Sequence, residues 1–125
     1  MKTISLTIAA SLILAGVASA QTPSREQIAQ NIVAMMSDTN VFGYACNVSD
    51  ADRRSVEIAV VGYAEQFDID INWVRQKVHE RDSKWSAFDI HSEEFRKFVH
   101  SKDGCLRMID PAIRVANDAR RILGH

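Results

Sequence analysis

CNVSDADRRSVEIAVVGYAEQF, residues 46–67, joins one of the chain's two cysteines to its best-patterned helix. Val56, Ala59, Val60, Tyr63, Ala64 and Phe67 recur at spacings of three and four, which places all six on one face of a 3.6-residue helix. Ser49 or Asp50 can cap its start by accepting from backbone N–H groups that have no partner in the first turn. The stretch predicts a central core helix. Gly62 interrupts it at a cost of up to about 1 kcal/mol relative to Ala, which predicts a second helix crossing close to the backbone there.

Upstream, MKTISLTIAASLILAGVASA (residues 1–20) has the single cation Lys2, an apolar run from Ile4 to Val17 and the small-residue pattern Ala18-Ser19-Ala20. This is the layout of a cleavable secretory signal peptide. A membrane anchor is the alternative, but the apolar run is short for a span and a polar segment follows it. The leader looks bacterial, so the expected compartment is the periplasm, with no membrane attachment after cleavage. Residues 21–125 then form one small domain. Export and a total of two cysteines predict a Cys46–Cys105 disulfide, with a free thiol pair or a metal site as the alternatives. In the chain-entropy model, closing a loop of about 60 residues contributes about 4 kcal/mol, a large share of a small domain's stability. Lys+Arg 15 against Asp+Glu 16 is too even a balance to imply nucleic acid or an anionic membrane as partner.

Outward from the core stretch the chain reads as short helices. Ser24 and Gln27 form a capping-box start, and the helix they open carries Ile28, Ile32, Met35 and Met36 inward, ending between Ser37 and Asn40. Val41 to Cys46 is then an apolar connector with a flexible glycine, its Phe42 and Tyr44 packed beside the disulfide or forming a binding surface. Asp68-Ile69-Asp70-Ile71-Asn72 opens like a calcium loop but has Trp73 at the sixth position and His79 at the twelfth, so it is instead a turn in which Asp70 caps a third helix burying Trp73, Val74 and Val78. Arg81 to His91 has no clean period, and its Trp85, Phe88 and Ile90 are expected on the core or, where exposed, on a partner surface. Ser92-Glu93-Glu94 starts a fourth helix with the stripe Phe95, Phe98 and Val99, and Gly104 is the expected left-handed stop. Asp110-Pro111 reads as a restart, followed by a last helix carrying Ile113, Ala116, Ala119, Ile122 and Leu123 inward, with Arg114, Asp118, Arg120 and Arg121 solvated. The fold class is all-α: a small single-domain bundle of four to five short helices with one disulfide.

The chemistry is sparse. His79, His91, His100 and His125 have no HExxH-type spacing to a second ligand, so neither a metal nor a cofactor is expected. No GxSxG-type turn presents a nucleophile, and no carboxylate pair stands out as an acid/base couple, so the chain does not read as an enzyme.

Tyr44-x-Cys46, followed by Gly62-Tyr63-Ala64-Glu65 within VVGYAEQF and by the later Cys105, resembles the HdeA-type acid-stress chaperones of the bacterial periplasm. Those are small exported helical proteins in which an aromatic-x-Cys precedes a helix with a V-G-aromatic segment and a second cysteine closes one disulfide. The likeness covers residues 44–67 and Cys105. The segment between the cysteines is longer here by about ten residues, and Trp73, Trp85 and the Phe95/Phe98 pair have no counterpart. The resemblance implies stress protection: in acid the carboxylates neutralise, the charge approaches about +19, self-repulsion loosens the domain, and Val60, Tyr63, Phe67, Phe95 and Phe98 hold unfolding clients. A homodimer is compatible with this reading. The alternative is a periplasmic binding module, such as an immunity or inhibitor protein, that meets one partner at neutral pH through a fixed patch around Trp85 and Phe88.

Overall fold

The computed structural model describes residues 23–122; the leader at 1–20, Leu123 and His125 lie outside them. Five α-helices and one π turn make up the described chain: α1 (Arg25–Phe42), α2 (Asp50–Gln66), α3 (Ile71–Ser83), α4 (Glu93–Ser101), the π turn Cys105–Ile109 and α5 (Asp110–Ile122). The protein is all-α with a Cys46–Cys105 disulfide, whose Cα atoms are 5.5 Å apart.

The starts of the first four helices follow from side-chain caps. Ser24 and Gln27 form the full capping box of α1, the Ser49 hydroxyl accepts from the Asp52 N–H, Asp70 accepts from the Asn72 N–H, and Ser92 accepts from the Phe95 N–H. Ends are less local. α1 runs through Val41 and Phe42 instead of stopping by Asn40, because both side chains are buried and the Thr39 hydroxyl bonds back to the Met35 carbonyl without breaking the helix. The reversals after α2 and α4 fall on Asp68 and Asp103, and Asn47 also takes a positive φ, all near +55° as Asn and Asp tolerate best.

Gly104 is therefore not the left-handed stop. Its φ is −61°, and glycine is required there by packing: a Cβ would lie 2.8 Å from Val99 Cγ1 and 3.1 Å from the Val99 carbonyl oxygen. Gly43 is likewise a buried, helical-φ residue against the Arg53 guanidinium and not a flexible joint. α5 does open at Asp110-Pro111, but Asp110 is not its N-cap. Asp110 has helical angles, and its N–H donates to the Cys105 carbonyl five residues back. Pro111 donates no hydrogen bond and its ring crowds the preceding turn, which the wider π turn accommodates while the helix continues.

α1 and α2 form the central pair. α3 packs on α1 and α5 packs on α2, so the main core collects Ile28, Ile32, Val56, Val60, Tyr63, Val74, Ala116 and Ala119. The predicted stripe of α2 is buried, with Phe67 partly so. Among the described residues Gly62 meets no crossing helix; it lines a shallow groove formed by α2 residues, among them Ile58 and Val61. Ile122 is exposed, not inward, and Arg120 reaches across to the buried Ser55 hydroxyl at 3.1 Å. A second, smaller core holds Val41, Phe42, Ala45, Phe95, Val99 and Ile109, with the disulfide and Trp85 against it.

Polar ties complete the assembly. Arg25 donates to the carbonyls of Phe67 and Asp68, fastening the start of α1 to the end of α2. Asp82 on α3 accepts from the Ser37 hydroxyl and from Asn40, and Arg81 pairs with Asp38 at 3.1 Å. Burial raises the pKa of Asp38; the Arg81 guanidinium opposes that shift and the neighbouring Asp82 charge adds to it. Tyr63 is raised by burial and by Asp118, and its hydroxyl has no hydrogen-bond partner among the described residues.

Because the folded state holds its Asp38 proton more tightly than the unfolded chain, the stability contributed by protonation is present below the unfolded pKa and lost as pH rises through the folded one. Urea titrations of the wild type and Asp38→Asn at pH 3 and pH 6 should show the difference in unfolding free energy moving in favour of the wild type as pH falls. Gly104→Ala should cost about 1–3 kcal/mol in the same assay, because Val99 must shift away from the new methyl group.

Candidate functional site

Five aromatic side chains gather on and around α4. The α1 terminus supplies Phe42, the turns after α3 supply Trp85 and Phe88, and α4 supplies Phe95 and Phe98. Their rings form a continuous cluster from core to solvent. Phe42 meets Trp85 edge-on at 5.0 Å and stacks on Phe95 at 5.9 Å; Trp85 and Phe95 both contact Phe88, at 5.6 and 6.0 Å; Phe88 and Phe98 lie nearly parallel at 6.5 Å. Contacts at these separations contribute about 0.5–1.5 kcal/mol each beyond the area they bury. Phe95 is 3% exposed, whereas Phe88 is 51% and Phe98 is 42% exposed.

α4 is positioned by few anchors. Phe95 and Val99 enter the smaller core, the His100 ring bonds to the Ala45 carbonyl at 2.9 Å, and Cys105 just beyond is tied to Cys46. Arg96 points to the other side of α4, lying over the Tyr44 ring at 5.7 Å and donating to Asn47 Oδ1 at 3.1 Å. His91 packs edge-on against Tyr44 at 4.9 Å. On the Phe88 and Phe98 side, a groove of about 600 Å³ has Phe88, Phe95 and Phe98 as its floor and Asp89, Glu93 and Glu94 around it.

The residues singled out from sequence thus fall into two groups. Trp85, Phe88, Phe95 and Phe98 come together in the aromatic cluster; Val60, Tyr63 and Phe67 lie in the main core, the first two at most 2% exposed. Those three, and Phe95, reach a client only if the domain opens. Of the connector aromatics, Phe42 is the buried base of the cluster and Tyr44 is exposed. From the sequence, Glu93 and Glu94 read as helix-start residues and, with His91, as metal-ligand types without the required spacing; their place beside the groove is not evident there. The sole signal for it was their position one and two residues before Phe95, on the first turn of the helix that carries Phe98.

A second groove of about 420 Å³ lies over α1, α2 and α3, with Met36, Val60, Val74 and Val78 in its lining and both charge signs present in Glu57 and Arg75. Among the described residues no three His, Cys, Asp or Glu side chains gather as a metal centre requires, and no helix is long and apolar enough to cross a membrane.

The buried and exposed phenylalanines of α4 should behave oppositely in urea unfolding. Phe95→Ala should cost about 3–5 kcal/mol through loss of packing and the cavity left behind. Phe98→Ser should change stability by no more than about 1 kcal/mol, since much of that ring already faces water. No family model matches the chain, and no curated protein or solved structure matches it.

Proposed function

We propose that this chain is an exported, non-catalytic protein-binding protein of the periplasm that protects acid-stressed clients, holding their apolar segments on the aromatic surface built around Phe88 and Phe98. The observation that carries the reading is the pair of stacked, half-exposed phenylalanines supported from beneath by buried Phe95 and Phe42. Monomeric domains rarely leave bulky aromatics clustered in water, and such patches mark interaction surfaces.

In acid the mechanism draws on the rest of the chain. Strong acid neutralises carboxylates in general and leaves Lys and Arg charged, so residues 84–103, which carry Lys84, Arg96, Lys97 and Lys102, become cationic against a cationic domain. This segment is held mainly by Phe95, Val99 and His100 and is the part that loosens first. The disulfide keeps both of its anchoring points joined, so Phe95, Phe42 and then Val60, Tyr63 and Phe67 extend the apolar surface without the chain dispersing.

A second reading is an immunity-type or inhibitor protein that binds one partner at neutral pH. It is favoured by Phe88 and Phe98 being exposed already in the folded chain, with no opening needed.

Light scattering of an unrelated acid-sensitive protein, mixed with the oxidised mature chain at about pH 2 and about pH 7, separates these readings. Suppression of aggregation in acid, lost on reduction of Cys46–Cys105 and weakened at least about two-fold by Phe88→Ser/Phe98→Ser, is the expected result. No suppression at either pH overturns client protection and leaves the single-partner reading, which capture of one defined protein at pH 7 by the wild type but not by the double variant then tests.

A further inference from the structure

The groove beside the aromatic surface is not evenly charged. Its floor is Phe88, Phe95 and Phe98, and the charged side chains lining it, Asp89, Glu93 and Glu94, are all carboxylates. All three are exposed. Asp89 Oδ1 accepts from the His91 N–H at 3.1 Å, which orients it but leaves its charge, and Glu93 is partly offset by Arg96 at 3.7 Å. Glu94 makes no hydrogen bond or ion pair among the described residues. No basic residue lines the groove: Arg96 lies over Tyr44 and donates to Asn47 while its guanidinium Nε pairs with Glu93, His91 packs on Tyr44, and Lys84 and Lys97 are not among the lining residues.

An apolar floor bounded by carboxylates discriminates among apolar ligands by charge. It attracts a cation placed next to a buried hydrophobic group and repels an anion at the same place, an effect on choice of partner more than on raw affinity. From this complementarity we infer that the groove binds a polypeptide segment in which a bulky apolar side chain is flanked by Lys or Arg, the apolar group seated on Phe88 and Phe98 and the cations facing Glu93, Glu94 and Asp89. The inference rests on the aromatic surface being a protein-docking site, and names the chemistry of what docks there at neutral pH. The flanking cation can also lie over the exposed ring of Phe88 or Phe98, which favours the same class of segment.

Three fluorescein-labelled octapeptides test it against the oxidised mature chain by anisotropy at pH 7 and low salt: one with Leu and Phe flanked by lysines, one with the same apolar pair flanked by glutamates, and one with lysines and serines alone. The lysine-flanked apolar peptide should bind at least about ten-fold more tightly than its glutamate analogue, and the lysine-serine peptide should bind more weakly than either effect alone would explain. Glu93→Gln/Glu94→Gln should weaken the first peptide about five-fold, as should raising the salt to about 0.5 M, whereas Phe98→Ser should weaken both apolar peptides. Asp89→Asn, which can still accept from the His91 N–H, serves as a second, milder variant with the same direction of effect.

Equal binding of the lysine- and glutamate-flanked peptides, or a preference untouched by the Glu93/Glu94 variant, overturns the charge selection while leaving the docking surface in place if Phe98→Ser still weakens both. Failure of both apolar peptides to bind, or binding that Phe98→Ser does not alter, overturns the docking surface together with the inference. Far-UV circular dichroism and thermal unfolding of each variant establish that the fold is retained.

Discussion

The Cys46–Cys105 bond joins the turn after α1 to the π turn before α5, and the smaller core exists because those two places are held together. Phe42 and Ala45 come from one side of the bond, Ile109 from the other, and Phe95 and Val99 fill the space between. A 59-residue separation is costly in entropy to close by noncovalent contacts alone, and a short helix such as α4 has little intrinsic stability of its own. With the cross-link in place, α4 is positioned by two buried side chains and by bonds from His100 to Ala45 and from Arg96 to Asn47.

The two cores differ in how completely they are packed. The main core, built by α1, α2, α3 and α5, buries its apolar stripes and is fastened by Arg25, Asp82 and Arg120. Of the five clustered rings the smaller core buries Phe42 and Phe95, covers Trp85 in part and leaves Phe88 and Phe98 half in water. Exposed rings lower the stability that a fully packed core would offer, and they are tolerable here because the main core and the disulfide supply what they do not.

Acid acts on this arrangement in two opposed ways. Net positive charge favours expansion of the whole chain. Asp38, desolvated between α1 and α3, binds its proton more readily when folded and so favours the main core as pH falls. The α4 segment has no such buried carboxylate: Asp89, Glu93 and Glu94 are all exposed.

Much of the fold was legible because its signals are local. A helix start needs only a side-chain oxygen two or three residues from an unpaired N–H, so the caps at Ser24 and Asp70 could be read directly, the α2 cap narrowed to Ser49 or Asp50, and the start of α4 placed at Ser92. The spacing of Val56 to Phe67 and the pair of cysteines are equally explicit. Where elements end was harder: α1 continues through Phe42 because of burial, Gly104 is glycine because Val99 touches it, and Pro111 continues a helix because a π turn widens before it. The aromatic residues were visible as an unperiodic set, but sequence alone does not order them, since Phe95 and Phe98 share one helix and differ only in which side meets Phe42. The sequence by itself determined the helices, their caps and the cross-link, all set by interactions within a few residues or by the count of cysteines. Only the tertiary structure decided which rings are buried, which stand in water, and that three carboxylates surround them, because those depend on how α4 is held against segments more than forty residues away, as by the bonds from Arg96 to Asn47 and His100 to Ala45.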